Sequence, residues 1–337
     1  MNYRIITDYE KIDNDKWSNF IINHADGNIF QTPEMYNIYN KTNNYEPFII
    51  AATKENGKLI GILLSVIQKQ YKGLLGHLSA RSVVFYGPIA LNNDPEILKI
   101  LLKEYDKKIR RKVIYSQFRN IKDYDKNKII YSNYEYKYED HLNIIVNLEK
   151  SEDELWSDVY SKRRNEIRRA TKENTFFMLR EEIGDLKRCY EILISIYNKV
   201  KVPLPPYSFF ENIFNNSSNR LGLKMFCAFN ENKLIGCMLA LVYNKTIYNF
   251  YAGADSGYYK KYHNDLIPWE VFLWGKKNGY KSFDFGGAGK PEIPYGVRDY
   301  KKKFGGYFTN YGRFEKTHKP LLYFIARIGL KFWKNIR

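Results

Sequence analysis

The chain has 337 residues, 44% hydrophobic and 17% aromatic, which allows two domains with separate cores and excludes a disordered chain. Its 54 Lys and Arg against 37 Asp and Glu give a net charge of +17. That balance favours polyanionic partners, namely RNA, a nucleotide-linked substrate or anionic lipid, although a lysine-rich background alone would produce it too. The N-terminus has no apolar signal core and no run of about 18 apolar residues occurs, so a cytoplasmic protein is expected. Cys189, Cys227 and Cys237 lie in apolar stretches without Cys-x-x-Cys spacing, as buried thiols of a reducing compartment do. His24, His77, His141, His263 and His318 are scattered, and no metal is expected.

In chain order, Tyr3 to Ile6 reads as a strand and Trp17, Phe20 and Ile21 as one face of a helix. Phe48 to Gln68 reads as a hairpin, and Ser82 to Phe85 as a strand ending at Tyr86-Gly87-Pro88. A helix with Ile97, Leu101 and Tyr105 on one face follows, then a strand from Val113 to Phe118. The apolar stretch His141 to Leu148 closes this half as a strand. Ser151-Glu152-Asp153-Glu154 is a capping box opening one helix through Trp156, Tyr160, Ile167 and Ala170. On that helix Arg164, Arg168 and Lys172 stand at i, i+4 and i+8, where like charges oppose helix formation. They read equally as an anion clamp or as a solvated basic face.

The second half repeats the pattern with a strand from Phe176 to Leu179, a helix from Asp185 to Val200, and a hairpin from Met225 to Val242. A strand from Thr246 to Ala252, a helix from Leu266 to Lys277 and a strand from Lys281 to Phe285 follow. Pro203, Pro205 and Pro206 precede an aromatic helix at Tyr207. Pro320 to Trp333 reads as a terminal apolar helix, docked on the first domain or lying on a membrane, and too short to span one.

The two hairpins share Lys-Leu-Ile-Gly at 58–61 and at 233–236, about 175 residues apart. That spacing is too wide for a solenoid and favours a duplicated domain over chance. Strands and helices in this mixed order imply helices packed on mixed sheets, an α/β fold.

Chemistry concentrates in Asp284-Phe285-Gly286-Gly287 and in Lys301-Lys302-Lys303-Phe304-Gly305-Gly306. The glycines allow close backbone approach to a ligand. No phosphate-binding P-loop and no Gly-x-Ser-x-Gly elbow is present.

These stretches, with Ile29-Phe30-Gln31-Thr32-Pro33, Tyr86-Gly87-Pro88 and the basic segment 162–170, occur in an order that resembles the Fem family. These are peptidyltransferases that build peptidoglycan cross-bridges, and related acetyltransferase-like proteins belong to envelope polysaccharide clusters. The resemblance covers nearly the whole chain and implies two tandem GNAT-like domains, the acyl-CoA N-acyltransferase fold. They would span 1–148, completed by the helix at 318–337, and 149–317, without the coiled-coil arm of some relatives. It further implies attack of an amine on an activated acyl ester, with aminoacyl-tRNA as donor and a peptidoglycan or other envelope precursor as acceptor. Lys303 would be the oxyanion cation with Phe304 beside it. Asp284 would be a base or orienting carboxylate, or else a strand-end residue capping the next turn. Tyr86, Gly87, Arg163, Arg164, Arg168, Gly286, Gly287, Lys260 and Lys261 would contact substrate.

Two departures from the family stand out. The lysine that holds nucleotide-sugar phosphates falls near Tyr39, with Lys41 close by, and an arginine is missing near the 205–210 helix. Both put a UDP-linked pentapeptide acceptor in doubt and favour the polysaccharide branch, where the donor is an acyl thioester. Against acetyl-CoA, the turn Tyr258 to Asp265 lacks the glycines that cradle a pyrophosphate, as does Leu91 to Asp94. Basic residues and tyrosines there suit tRNA. No bound cofactor is expected, only aminoacyl-tRNA or acyl-CoA as co-substrate. A catalytically silent RNA- or glycan-binding protein on the same fold is the reading from another class.

Overall fold

The computed structural model describes residues 2–69, 76, 79–123, 127–217, 221–326 and 328, so His77 and most of the terminal segment after Ala326 lie outside the described residues. The chain divides into two compact units, Met1–Asp140 with Tyr311–Arg337, and His141–Asn310.

The first unit runs β1 (Tyr3–Ile6), α1 (Asn14–Ile22), α2 (Pro33–Lys41), β2 (Tyr45–Lys54), β3 (Leu59–Gln68), β4 (Arg81–Phe85), β5 (Ile89–Ala90), α3 (Pro95–Ile109), β6 (Tyr115–Arg119), α4 (Lys128–Ser132) and β7 (Lys137–Glu139). The second runs β8 (Leu142–Asn147), α5 (Glu152–Asp158), α6 (Ser161–Lys172), β9 (Thr175–Arg180), α7 (Ile183–Lys199), α8 (Tyr207–Asn215), β10 (Leu221–Asn230), β11 (Lys233–Tyr243), β12 (Thr246–Ala254), α9 (His263–Lys277), β13 (Ser282–Gly287), α10 (Gly296–Lys301) and β14 (Tyr307–Asn310). The chain then returns to the first unit through β15 (Arg313–Thr317).

The two sheets have one plan. In order they are β1-β2-β3-β4-β6-β15-β7 and β14-β8-β13-β12-β11-β10-β9. Read from β1 and from β9, each is antiparallel through its first four strands, then has one parallel pair, β4 with β6 and β12 with β13. An antiparallel sixth strand follows in each, β15 against β6 and β8 against β13, and an antiparallel seventh, β7 and β14, lies at the edge.

The repeated Lys-Leu-Ile-Gly has a physical reason. In both hairpins the register slips by one residue there: Leu59 faces Thr53 and Gly61 faces Ala52, while Leu234 faces Phe229 and Gly236 faces Ala228. Ile60 and Ile235 are the extra residues of two matching bulges, both fully buried. A Cβ on Gly61 would lie 2.8 Å from Ile97 of α3, and one on Gly236 would lie 2.6 Å from His263 of α9. Glycine is needed at the bulge because the first turn of a helix packs directly on it. Hairpin, bulge and covering helix therefore recur together, which makes the halves two copies of one domain. Each copy has its own core. Ile50, Leu63 and Ile67 pack with Leu101 and Tyr105 of α3, and Phe226, Met238 and Phe283 pack with Ile267 and Phe272 of α9.

Three expectations need correction. The strand at 142–147 pairs with β13 and β14 and belongs to the second unit, because its alternate residues Ile144 and Val146 complete that core. The boundaries thus fall at His141 and Tyr311, not at 149 and 318, and a strand as well as the terminal helix returns to the first unit. The helix opened by the Ser151 capping box ends at Asp158. Tyr160, with φ −57° and ψ 140°, is the non-helical N-cap of α6 and is exposed rather than on a buried face.

Tyr86 and Gly87 lie in the first unit, and their surroundings are structural. The Gln31 side chain is fully buried, donates from Nε2 to the Leu64 and Phe85 carbonyls at 3.0 and 2.8 Å, and accepts from Leu64 N at 2.8 Å. It bridges β3 and the end of β4, and a Cβ on Gly87 would sit 2.5 Å from its amide. Asn28 meanwhile donates to the Tyr86 carbonyl at 2.6 Å. Gly87→Ala is therefore expected to destabilise the first unit by about 1–3 kcal/mol, because an amide with three hydrogen bonds has nowhere to move. Denaturant titration checks this, and an unchanged midpoint would show that the Gln31 bridge is dispensable.

Candidate active site

The second unit gathers most of the residues singled out in the sequence. β12 and β13 run parallel through only three pairs, Thr246 with Ser282, Ile247 with Phe283 and Tyr248 with Asp284. Beyond Tyr248 and Asp284 the ladder ends, although β12 continues to Ala254 and β13 to Gly287. Backbone that leaves a ladder needs other partners. Here the amine of Lys301 supplies them, donating to the Phe285 and Gly287 carbonyls at 2.6 and 2.8 Å. Burial pulls the Lys301 pKa down to about 8, against the opposing pull of the Asp284 carboxylate.

Asp284 is buried, and its Oδ1 accepts from Gly286 N at 2.7 Å, where Gly286 has φ +71°. This is the turn-capping arrangement, one of the two readings its sequence position allowed. Gly287 pairs with Asn143 of β8 across an irregularity in the ladder.

The three consecutive lysines have three different fates. Lys301 holds carbonyls, Lys302 pairs with Asp299 at 3.4 Å, and half-buried Lys303 makes no ion pair or side-chain hydrogen bond among the described residues. The Lys303 carbonyl accepts from Tyr160 N at 3.0 Å, so this turn is tied to the break between α5 and α6. Phe304 is a core residue, 1% exposed and packed on Phe285, Phe272 and Tyr300. Its role is to fix the backbone next to Lys303, since a ring enclosed on these sides leaves no face for substrate.

The basic helix is mostly committed to the fold. Arg163 pairs with buried Asp265 in the first turn of α9 and with Glu166 at 3.0 Å, and lies over the Tyr300 and Phe304 rings. Arg164 donates to the carbonyls of Trp156, Ser157 and Val159, capping the end of α5. Arg168 stacks over Trp156 and donates to Asn165 at 3.4 Å, with its residue exposed. The like-charge spacing is tolerated because Arg164 has carbonyl partners of its own. Of the expected clamp, Arg164 is held in structural ties, as is Arg163 of the expected substrate contacts, and Arg168 with Lys172 remains at the surface.

The turn before α9 is a 3-10 segment from Ser256 to Lys261, and Tyr262 takes φ +54° before the helix. Lys261 pairs with Glu173 at 3.1 Å, so of the two lysines Lys260 is the exposed one without an ion pair among the described residues. Tyr300 Oη donates to the Asn264 carbonyl at 2.5 Å, and burial pulls His263 down to about 4. Two residues that do much here, Lys301 and Asp265, were not singled out. The first sat inside a lysine run that gives no sign of which member is buried, and the second was only the end of a tyrosine-rich turn.

Among the described residues no cluster of three or more His, Cys, Asp or Glu side chains could hold a metal, and no helix is long and apolar enough to cross a membrane. The three cysteines are buried and reduced, with 3.7 Å between the Cys189 and Cys227 sulfurs.

Residues 160–302 match the model of an acetyltransferase (GNAT) domain. No curated protein matches the chain. The structure is similar to the crystal structure of FemX, with a TM-score of 0.72 at 14% identity, covering 96% of this chain and 99% of that one. It is also similar to L-PGS from Bacillus licheniformis, with a TM-score of 0.59 at 14% identity over 94% and 96% of the two chains. A tandem GNAT protein from the clavulanic acid biosynthesis pathway, solved without acetyl-CoA, gives a TM-score of 0.62 at 7% identity over 94% and 99%. With two copies of one mixed-sheet domain, the open end of β12 and β13 and the matching domain model, this chain is an acyltransferase with a tandem GNAT-like, FemX-like fold.

Proposed function

We propose that this protein transfers an aminoacyl group from aminoacyl-tRNA to an amine of a peptidoglycan or other cell-envelope precursor. The observation that carries the reading is Lys303, the member of the lysine run left without a partner among the described residues, beside a segment fixed by Phe304 and by the Tyr160 amide. The acceptor nitrogen attacks the ester carbonyl, a C–N bond forms and the bond to the ribose oxygen breaks. That oxygen takes the proton the nitrogen releases, so no strong base is needed. Lys303 offsets the charge on the tetrahedral oxygen, a contribution on the order of 3–4 kcal/mol. The fold likeness to FemX and to L-PGS supports this class of donor and acceptor.

The matched GNAT domain favours a second donor, acetyl-CoA. Asp265 weighs against it, because a carboxylate already stands in the first turn of α9, where a pyrophosphate would bind. Binding measured with charged tRNA and with acetyl-CoA separates the two. The expected result is tRNA binding whose log–log salt slope is several negative units, about −0.7 to −0.9 per phosphate contacted. Lys260→Glu is the clean probe, since Lys261 is held by Glu173, and it should flatten the slope by about one unit. Saturable acetyl-CoA binding without tRNA affinity would replace this donor with the thioester.

A further inference from the structure

The helix that begins at Pro320 has two different sides. Tyr323 turns inward, its hydroxyl donating to Glu315 at 2.9 Å and its ring meeting Tyr115 edge-on at 5.3 Å, so the helix rests on the first unit's sheet. Leu321, Phe324, Ile325 and Ile328 turn the other way and stay 72, 63, 56 and 40% exposed. Their spacing of i, i+3, i+4 and i+7 gathers them into one stripe about 100° wide. Four large apolar side chains on one face in water need a cover. Docking on the first domain therefore accounts for only the Tyr323 side of this helix.

We propose that this stripe is a membrane-surface anchor that seats the protein on a bilayer of anionic lipid. The charge around it selects that cover. From Lys319 to Arg337 the sequence has Lys319, Arg327, Lys331, Lys334 and Arg337 and no acidic residue, in a chain of net charge +17. An apolar helix face in a stretch of sequence whose charges are all cations favours the headgroup layer of an anionic bilayer. A second copy of the chain would set the same cations against one another. The anchor holds whichever acyl donor is used.

Flotation of the full chain with vesicles tests it. Vesicles of phosphatidylglycerol and phosphatidylcholine in equal parts are expected to bind the protein at least about tenfold more strongly than phosphatidylcholine alone, with binding weakened by salt. The double variant Leu321→Glu with Phe324→Glu should lose about tenfold or more of that binding. Its circular dichroism and melting temperature should be unchanged, since both side chains are in water. The anchor is overturned if the wild type stays off both vesicles, or if the variant binds as well as the wild type. It is equally overturned if sedimentation shows a wild-type dimer that the variant dissolves while neither floats.

Discussion

Lys303→Ala is expected to lower kcat/KM for acyl transfer by about 10²–10³, the effect of removing one preorganised charge from a developing oxyanion. The folded state should be unaffected, because the Lys303 ammonium holds no partner among the described residues whose loss would strand a buried group. The neighbours provide the contrast. Lys302→Ala removes only an exposed pair with Asp299, worth up to about 1 kcal/mol, and should leave transfer near the wild-type rate. Lys301→Ala should unfold more readily, since the Phe285 and Gly287 carbonyls lose their donor. Steady-state kinetics beside thermal melts give all three results. Full activity in Lys303→Ala would remove this residue from the chemistry, and a binding protein without turnover would lose only affinity.

Arg163→Met has the second large effect, and it falls on stability. Asp265 is buried in the first turn of α9, and Arg163 is its cation. Methionine leaves that carboxylate without a partner where water cannot replace one, a loss of about 3–5 kcal/mol. The double variant Arg163→Met with Asp265→Asn should recover part of it, because an amide tolerates burial better than a charge. Denaturant midpoints of the two variants decide the point, and equal stabilities would mean that the stacking of Arg163 over Tyr300 and Phe304 matters more than the ion pair.

Much of this architecture was legible in the residues. Alternating apolar runs, Asn and Gly turns and the capping box at Ser151 gave strands, hairpins and a helix start, because those signals act over a few residues. The repeated Lys-Leu-Ile-Gly was visible as a repeat, but its cause was not. The bulge and the helix that covers it come from residues 36 and 27 positions away in sequence, Ile97 and His263. Of the residues that the resemblance put at the site, Phe304, Arg163 and Arg164 are built into the structure, and Lys303 makes no ion pair among the described residues. A guanidinium that caps a helix and one that binds phosphate look alike in a sequence, and only the geometry of the α5–α6 break separates them. The strand at 142–147 was assigned to the wrong half because local pattern marks a strand without naming its sheet.

The place of β15 bears on the order in which the protein is made. The second unit is one continuous stretch of chain, so it can close as soon as Asn310 has been synthesised. The first unit cannot. β15 lies between β6 and β7 in the interior of its sheet, and until residues 313–317 exist both neighbours present open edges. The half that is translated first is therefore the half that finishes last. It waits through about 170 residues of synthesis with a sheet edge exposed, the condition under which nascent chains pair with one another. Loss of residues 313–317 would consequently injure the first unit rather than the second.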